Sequence, residues 1–483
     1  MKKQIIILVV CIVFAAVLGG ALYFLMQYEP EGEESSSSES TAVALVEKTE
    51  YDVDTVTIEN GEGSFTIKNL GDSQYEIPEV QEAPLNTLAG TALKRMATLS
   101  ATSTVSESPE DLGTYGLQSP SATVSAKYTD GSSFTLLLGD DAPGNNGTYG
   151  KTPDKDTVYL FSTSEVQNFK KSVFEFVDKT VTNQPDENYQ QTGNIVYPDK
   201  VTLGGSFRSE PVVMQIVDAE EGAESELANY GLTMYTMTSP KVRPVDSDKG
   251  TDALTNLMTI TADAIVAYEP TPEQMKEYGL DEPYSTAEFT YKDLEESEHK
   301  VNLRLSAPDA EGNAYLLKEG TPLVYQIAVS GLPWYEMSYG DFISTLLFTP
   351  FIDDIKTLTV STPTSSYVYE MSGEGDELKV TCNGQEVDTK LFRSLYQTLI
   401  GIPAEEYTEE KPAEDAAILL AIEYAYRDAS REHNTVQLIA GPTRKAFLFN
   451  DGDGEFFTKA GYADTILQNC QNLLEGKDIK PLY

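Results

Sequence analysis

Two hydrophobic periods alternate along this chain, and the pair of them returns three times. Short runs with a period of two, such as Val56-Thr57-Ile58 with Phe65-Thr66-Ile67 and Thr357-Leu358-Thr359-Val360 with Ser366-Tyr367-Val368-Tyr369, predict strands with one covered face. Each stretch is followed by apolar residues at helical spacing. The first set is Leu85, Leu88, Ala92, Met96 and Leu99, and the second is Leu254, Leu257, Met258 and Ile265. The third is Leu391, Leu395 and Leu399, with Asp388 or Thr389 placed to cap the helix N-terminus. A meander of strands then follows. Tyr115-Gly116-Leu117 with Pro120 recurs as Tyr278-Gly279-Leu280 with Pro283, and the match runs without a gap to Tyr128-Thr129-Asp130 and Tyr291-Lys292-Asp293. Tyr424-Ala425-Tyr426-Arg427-Asp428 keeps the strand and its end but lacks the lead-in. Turn residues sit at matching places in the three meanders: Pro153-Asp154-Lys155-Asp156, Glu319-Gly320-Thr321-Pro322 and Asp451-Gly452-Asp453-Gly454.

This order predicts an α+β fold of three tandem units, each with antiparallel strands and a covering helix, over 51–190, 195–345 and, more divergently, 350–480. Met96, Leu257 and Leu395 are expected to be buried under their helices, and the strands carrying Tyr128, Tyr291 and Tyr426 to be equivalent.

The N-terminus follows a different rule. Lys2 and Lys3 precede an uncharged apolar run from Ile5 to Met26, about 33 Å long as a helix at ~1.5 Å per residue, enough to span a bilayer core. Basic residues before the run and Glu29, Glu31, Glu33 and Glu34 after it predict a single-pass anchor with a cytoplasmic N-terminus and an extracytoplasmic body. Residues 1–28 are read as stub and anchor. Residues 29–50, beginning Glu-Pro-Glu-Gly-Glu-Glu and running into serines, are read as a flexible acidic linker, with ordered structure starting near Tyr51. A cleaved signal peptide ending near Gly19-Gly20-Ala21 is the competing reading.

Charge and composition narrow the function. The net charge of −43 repels phosphate backbones and excludes nucleic acid as a partner. Three cysteines do not make a disulfide framework; Cys11 falls in the apolar run, and whether Cys382 and Cys470 pair stays open. With two histidines, His299 and His433, both in charged stretches of the meanders, there is no basis for a Ser-His-Asp or Cys-His constellation or a transition-metal site. Asp451, Asp453 and Glu455 resemble the opening of a calcium loop, but Tyr462 stands where the closing glutamate belongs, and a hairpin turn explains the cluster more simply. Asp140-Asp141 and Asp353-Asp354 read as strand-end and boundary residues. No catalytic, metal or cofactor-binding residue is nominated. Tyr149, Tyr159, Tyr315 and Tyr325 fall on strands and are expected to pack across them, and Trp334 to pack against the Tyr335–Phe342 segment.

The run Tyr115-Gly116-Leu117-Gln118-Ser119-Pro120-Ser121-Ala122-Thr123-Val124, with Tyr128-Thr129-Asp130-Gly131, Leu136-Leu137-Leu138-Gly139-Asp140 and Thr157-Val158-Tyr159-Leu160-Phe161, resembles the domain-of-unknown-function 4340 family. The resemblance implies a bacterial membrane-anchored repeat protein akin to auxiliary components of gliding-type ABC transport systems. The expected function is therefore a non-enzymatic extracytoplasmic accessory or scaffold protein, partnered by the membrane, by ABC transporter subunits or by a gliding-type auxiliary membrane protein. The alternative is a cell-wall glycan or extracellular ligand-binding protein.

Overall fold

The computed structural model describes residues 42–217, 234–345, 348–431 and 433–482. The apolar run Ile5–Met26 and the start of the acidic stretch lie outside these residues. Among the described residues no helix is long and apolar enough to cross a membrane.

Three large antiparallel sheets dominate, and they share one strand order. The first runs from edge to edge through Gln74–Glu76, Gly63–Gly71, Val53–Asn60, Ala122–Tyr128, Ser133–Asp141, Thr148–Lys151, Val158–Phe161 and Ser103–Ser106. The second runs through Arg243–Pro244, Tyr235–Ser239, Val212–Ile216, Lys200–Gly204, Ser285–Lys292, Glu298–Leu305, Asn313–Lys318, Leu323–Ala328 and Ala264–Tyr268. The third runs through Gln385–Glu386, Lys379–Cys382, Ser366–Ser372, Ile355–Ser361, Ile418–Tyr426, Asn434–Ala440, Lys445–Asn450, Asp453–Lys459 and Glu406–Tyr407. In each, a hairpin lies beside a four-strand meander, and a strand lying between the covering helix and the meander in sequence closes the far edge. Tyr128, Tyr291 and Tyr426 stand near the ends of equivalent strands.

The registers follow the period-two pattern. Val56 faces Ile67 and Ile58 faces Phe65 in the first hairpin; Leu358 faces Tyr369 and Val360 faces Tyr367 in the third. Burial alternates along Val53–Asn60 and Ala122–Tyr128, so one face of the sheet is dry. A helix lies in each unit between hairpin and meander: Leu88–Ala97, Ser247–Asn256 and Thr389–Ile400. Met96, Leu257 and Leu395 are all fully buried, each a gain of about 1.5–3 kcal/mol over an exposed side chain. Asp246 caps the second helix through the amides of Asp248 and Lys249, and Asp388 caps the third through that of Leu391. The Tyr128 hydroxyl donates to the Met96 carbonyl at 2.8 Å and ties the first helix to its sheet.

Several expectations are corrected. The chain is paired before Tyr51: Val43–Ala44 forms a two-stranded ladder with Ser100–Ala101, and Lys48 donates its amide to the Ala97 carbonyl. Val46 is buried, so this stretch carries apolar positions that a linker has no use for. The helical pattern overran its elements. Leu85 bridges Val177, Leu99 accepts from the amides of Leu45 and Val46, and Ile265 sits in the edge strand Ala264–Tyr268. Spacing alone registers an apolar residue without revealing that the helix has ended.

Compactness does not follow the three sheets one for one. The described residues up to Tyr75 form one compact unit with Gly90–Lys171; Glu76–Ala89 form another with the described residues from Ser172 onward. In the second unit the stretch after Ser172 is bound to the middle sheet. The amides of Val181 and Thr182 reach the Ile260 carbonyl, and Lys318 donates to the Val181 carbonyl at 2.8 Å.

Candidate functional site

The larger compact unit holds the middle and last sheets, and its best-formed polar constellation connects them. Lys241 and Arg243 lie at the edge of the middle sheet, where Arg243–Pro244 pairs with Tyr235–Ser239. Asp453 and Glu455 lie on the last meander strand, Asp453–Lys459. Lys241 Nζ is 2.6 Å from Glu455 Oε1 and 3.1 Å from Asp453 Oδ1; Arg243 Nε is 3.0 Å from Glu455 Oε2, and its Nη2 donates to Asp453. Tyr339 donates its hydroxyl to Glu455 Oε1 at 2.8 Å. Glu455 is 8% exposed at its side chain, so three donors surround a carboxylate withdrawn from water.

Electrostatics agree with this pairing. Burial works against the charge on Asp453, but the hydrogen bond from Lys241 and the charges of Arg243 and Lys241 outweigh it and hold the carboxyl below its usual range. Burial likewise opposes the Lys241 ammonium, and the hydrogen bonds to Glu455 and Asp453 overcome it, raising its pKa. The Tyr339 phenol is pushed well up, first by burial and then by Glu455.

Beside this cluster is a cavity of about 510 Å³. Phe207, Tyr339 and Tyr407 line it with rings, while Glu210, Glu409 and Lys411 line it with charges. The Tyr339 and Tyr407 rings meet edge to face at 5.9 Å, and Phe207 lies 5.4 Å from Tyr284. At Gly340 a Cβ would stand 2.4 Å from the Tyr407 ring, so the ring packs directly on bare backbone. Burial, then Glu409 and Glu455, push the Tyr407 phenol up to about 12.

Arg208 also lines this cavity and is almost wholly buried. Its guanidinium donates to the carbonyls of Met337, Gly204, Trp334 and Tyr335 and to Ser285 Oγ, at 2.6–3.1 Å. These are neutral acceptors. Burial brings its pKa down to about 10, so the group stays charged at neutral pH. Arg208 therefore fastens the end of strand Lys200–Gly204 to the 334–337 segment.

The residues singled out in the sequence do not converge on this place, apart from Asp453 and Glu455. Asp451 accepts from the Thr435 amide at 2.6 Å and from Asn434, a turn-fastening role. His299 Nε2 is 2.7 Å from Asp293 and its ring stacks on Tyr291; His433 Nδ1 is 2.9 Å from Glu423. Asp141 accepts from Thr148 and Lys170, and Asp353 from the Gly375 amide. Cys382 and Cys470 are unpaired and buried, and burial raises both thiols. Tyr159 and Tyr325 are buried, Tyr149 meets Tyr115 edge on, and Tyr315 packs on Tyr278. Trp334 is fully buried and donates its indole N–H to Asn256 at 3.1 Å. Sequence reasoning missed Arg208, Lys241, Arg243 and Tyr339. The one available signal was the paired bases Lys241 and Arg243 in a strongly acidic chain.

No curated protein matches the chain. The family model described as a domain of unknown function (DUF4340) matches residues 76–193 and 236–420, and the chain belongs to that family.

Proposed function

We propose that this protein is a non-enzymatic accessory or scaffold component of a membrane complex, of the ABC-type transport kind. It is held by the Ile5–Met26 run as a single-pass anchor, with its N-terminus in the cytoplasm and its body outside. The observation that carries the scaffold reading is the repetition of one strand order in three sheets, with Asp453 and Glu455 of the last ion-paired to Lys241 and Arg243 of the middle one. Both histidines sit on carboxylates, and the Asp-Gly turn fastens strands, which are structural roles. The transport system enters through the resemblance to auxiliary components of gliding-type systems, and the acidic body suits a protein kept soluble outside the cell.

Affinity purification of the full chain from detergent-solubilised membranes tests the reading. Co-purification of an ATPase or permease subunit is the expected result, and its absence across several detergents removes the transport assignment. Protease added to wall-stripped intact cells is expected to digest the body; a protected full-length chain reverses the orientation.

A further inference from the structure

We propose that the cavity beside the Lys241–Glu455 cluster is a binding site for a neutral saccharide. Its volume of about 510 Å³ falls within the ~300–1,000 Å³ span of small-ligand sites. Two features of its wall select the ligand. The first is the rings: Phe207, packed on Tyr284, is still 36% exposed, and Tyr339 and Tyr407 add an aromatic corner. Such rings are matched by the apolar C–H face of a pyranose. The second is the polar set. Glu210 and Glu409 supply acceptors, and Lys411 with the Ser209 hydroxyl supplies donors, all on exposed residues of the lining. Hydroxyl groups, which donate and accept at once, satisfy a mixed set of this kind.

Charge decides between classes. Arg208, Lys241 and Lys411 on the wall are balanced by Glu210, Glu409 and Glu455, so the cavity favours neither anion nor cation. The chain around it carries −43, which disfavours an anionic ligand on approach. A peptide strand would need a row of open backbone donors and acceptors. Here the edge strand Glu406–Tyr407 is only two residues long and offers no such row. The three rings and the mixed polar side chains of the lining favour the sugar. This site does not depend on the transport assignment.

Saturation-transfer NMR on the full chain in detergent, with cellobiose, N,N′-diacetylchitobiose and trialanine as probes, tests the proposal; pull-down on insoluble cellulose and chitin separates a free-sugar site from one for a glycan chain. Saturation of the ring protons of one disaccharide is expected. Phe207→Ala is expected to weaken that binding about tenfold, and Phe207→Tyr to restore it. Glu409→Gln, on an exposed side chain, is expected to weaken it several-fold, and it decides the matter if Phe207→Ala does not fold. Retention on cellulose or chitin assigns a glycan chain, and binding of the free disaccharide alone assigns a small sugar; either supports the site. No transfer to either disaccharide together with no retention on the polymers, binding unchanged in both variants, or trialanine bound in their place overturns it.

Discussion

The same turn, in the same place between the third and fourth meander strands, is used differently in the three repeats. In the first, Asp156 pairs with Lys151 of the strand before it, at 3.0 Å. In the middle repeat, Glu319 takes Arg304 and Asn302 of its own sheet. In the last, Asp451 fastens Thr435 locally, but Asp453 and Glu455 reach the middle repeat's Lys241 and Arg243. A turn that closes on its own sheet adds no tie to another sheet. The last one has been given over to joining two sheets, and those two share a compact unit.

The lead-in motif shows the complementary difference. Gly116 and Gly279 both have φ of 67°, and each ends a helical turn whose carbonyl accepts from the following leucine: Leu117 to Leu112 and Leu280 to Met275. Leu117 and Leu280 are buried by this reversal. The last repeat enters its central strand from a plain turn, with the Ala416 amide on the Ala413 carbonyl, and has neither glycine nor leucine there.

The comparison predicts a ranking. Glu455→Ala is expected to cost about 2–3 kcal/mol, because it strands Arg243, Lys241 and Tyr339 around an emptied acceptor, whereas Glu319→Ala on its exposed pair is expected to cost under about 1 kcal/mol. Urea unfolding followed by the fluorescence of the single tryptophan, Trp334 in the middle repeat, reads both; equal costs break the distinction between joining and local turns.

Next come the glycines. Gly116→Ala is expected to destabilise by about 2 kcal/mol and Gly279→Ala by about 1 kcal/mol. Both take the left-handed penalty, but only at Gly116 does the new Cβ meet the Asp140 backbone nitrogen at 2.7 Å; at Gly279 its nearest neighbour, Ser306, is 3.5 Å away. Thermal unfolding of the two variants measures the gap, and a larger loss at Gly279 contradicts the packing argument.

A smaller effect concerns acid. Asp453 has a lowered folded pKa, so its contribution is complete above the ordinary aspartate range of about 3.9 and fades as pH falls through that range toward the folded value. Asp453→Asn is expected to flatten the loss of stability between about pH 5 and pH 3 relative to the parent. Superimposable pH profiles discount the pair. The smallest effect is expected at Asp156→Asn, within about 0.5 kcal/mol, since that carboxylate is 74% exposed. A larger loss there, read by urea unfolding, erases the contrast between local and joining turns.

Much of the fold was legible because its signals are local. Period-two runs located both hairpins whose registers were read, Asp388 marked its helix start, and the Tyr-Gly-Leu copies pointed to the two left-handed glycines. Legibility failed where an element's end depends on packing. Ile265 kept helical spacing with Leu254 and Leu257 yet lies in a strand, and Val43–Ala44 pairs with Ser100–Ala101, too short to stand out as a strand in the sequence. Of the site, only Asp453 and Glu455 were noticed, and as a turn rather than as partners of distant bases.

By itself, then, the sequence determined the strand and helix order, the repetition, the turn positions and the strongly acidic surface, since period, backbone conformation and net charge are properties of short stretches or of sums. Tertiary structure decided which of 77 acidic residues meet which of 34 basic ones, where Arg208 is buried, and how the chain divides into compact units. Those outcomes rest on the approach of side chains far apart in the chain, which the composition and spacing of either partner do not record.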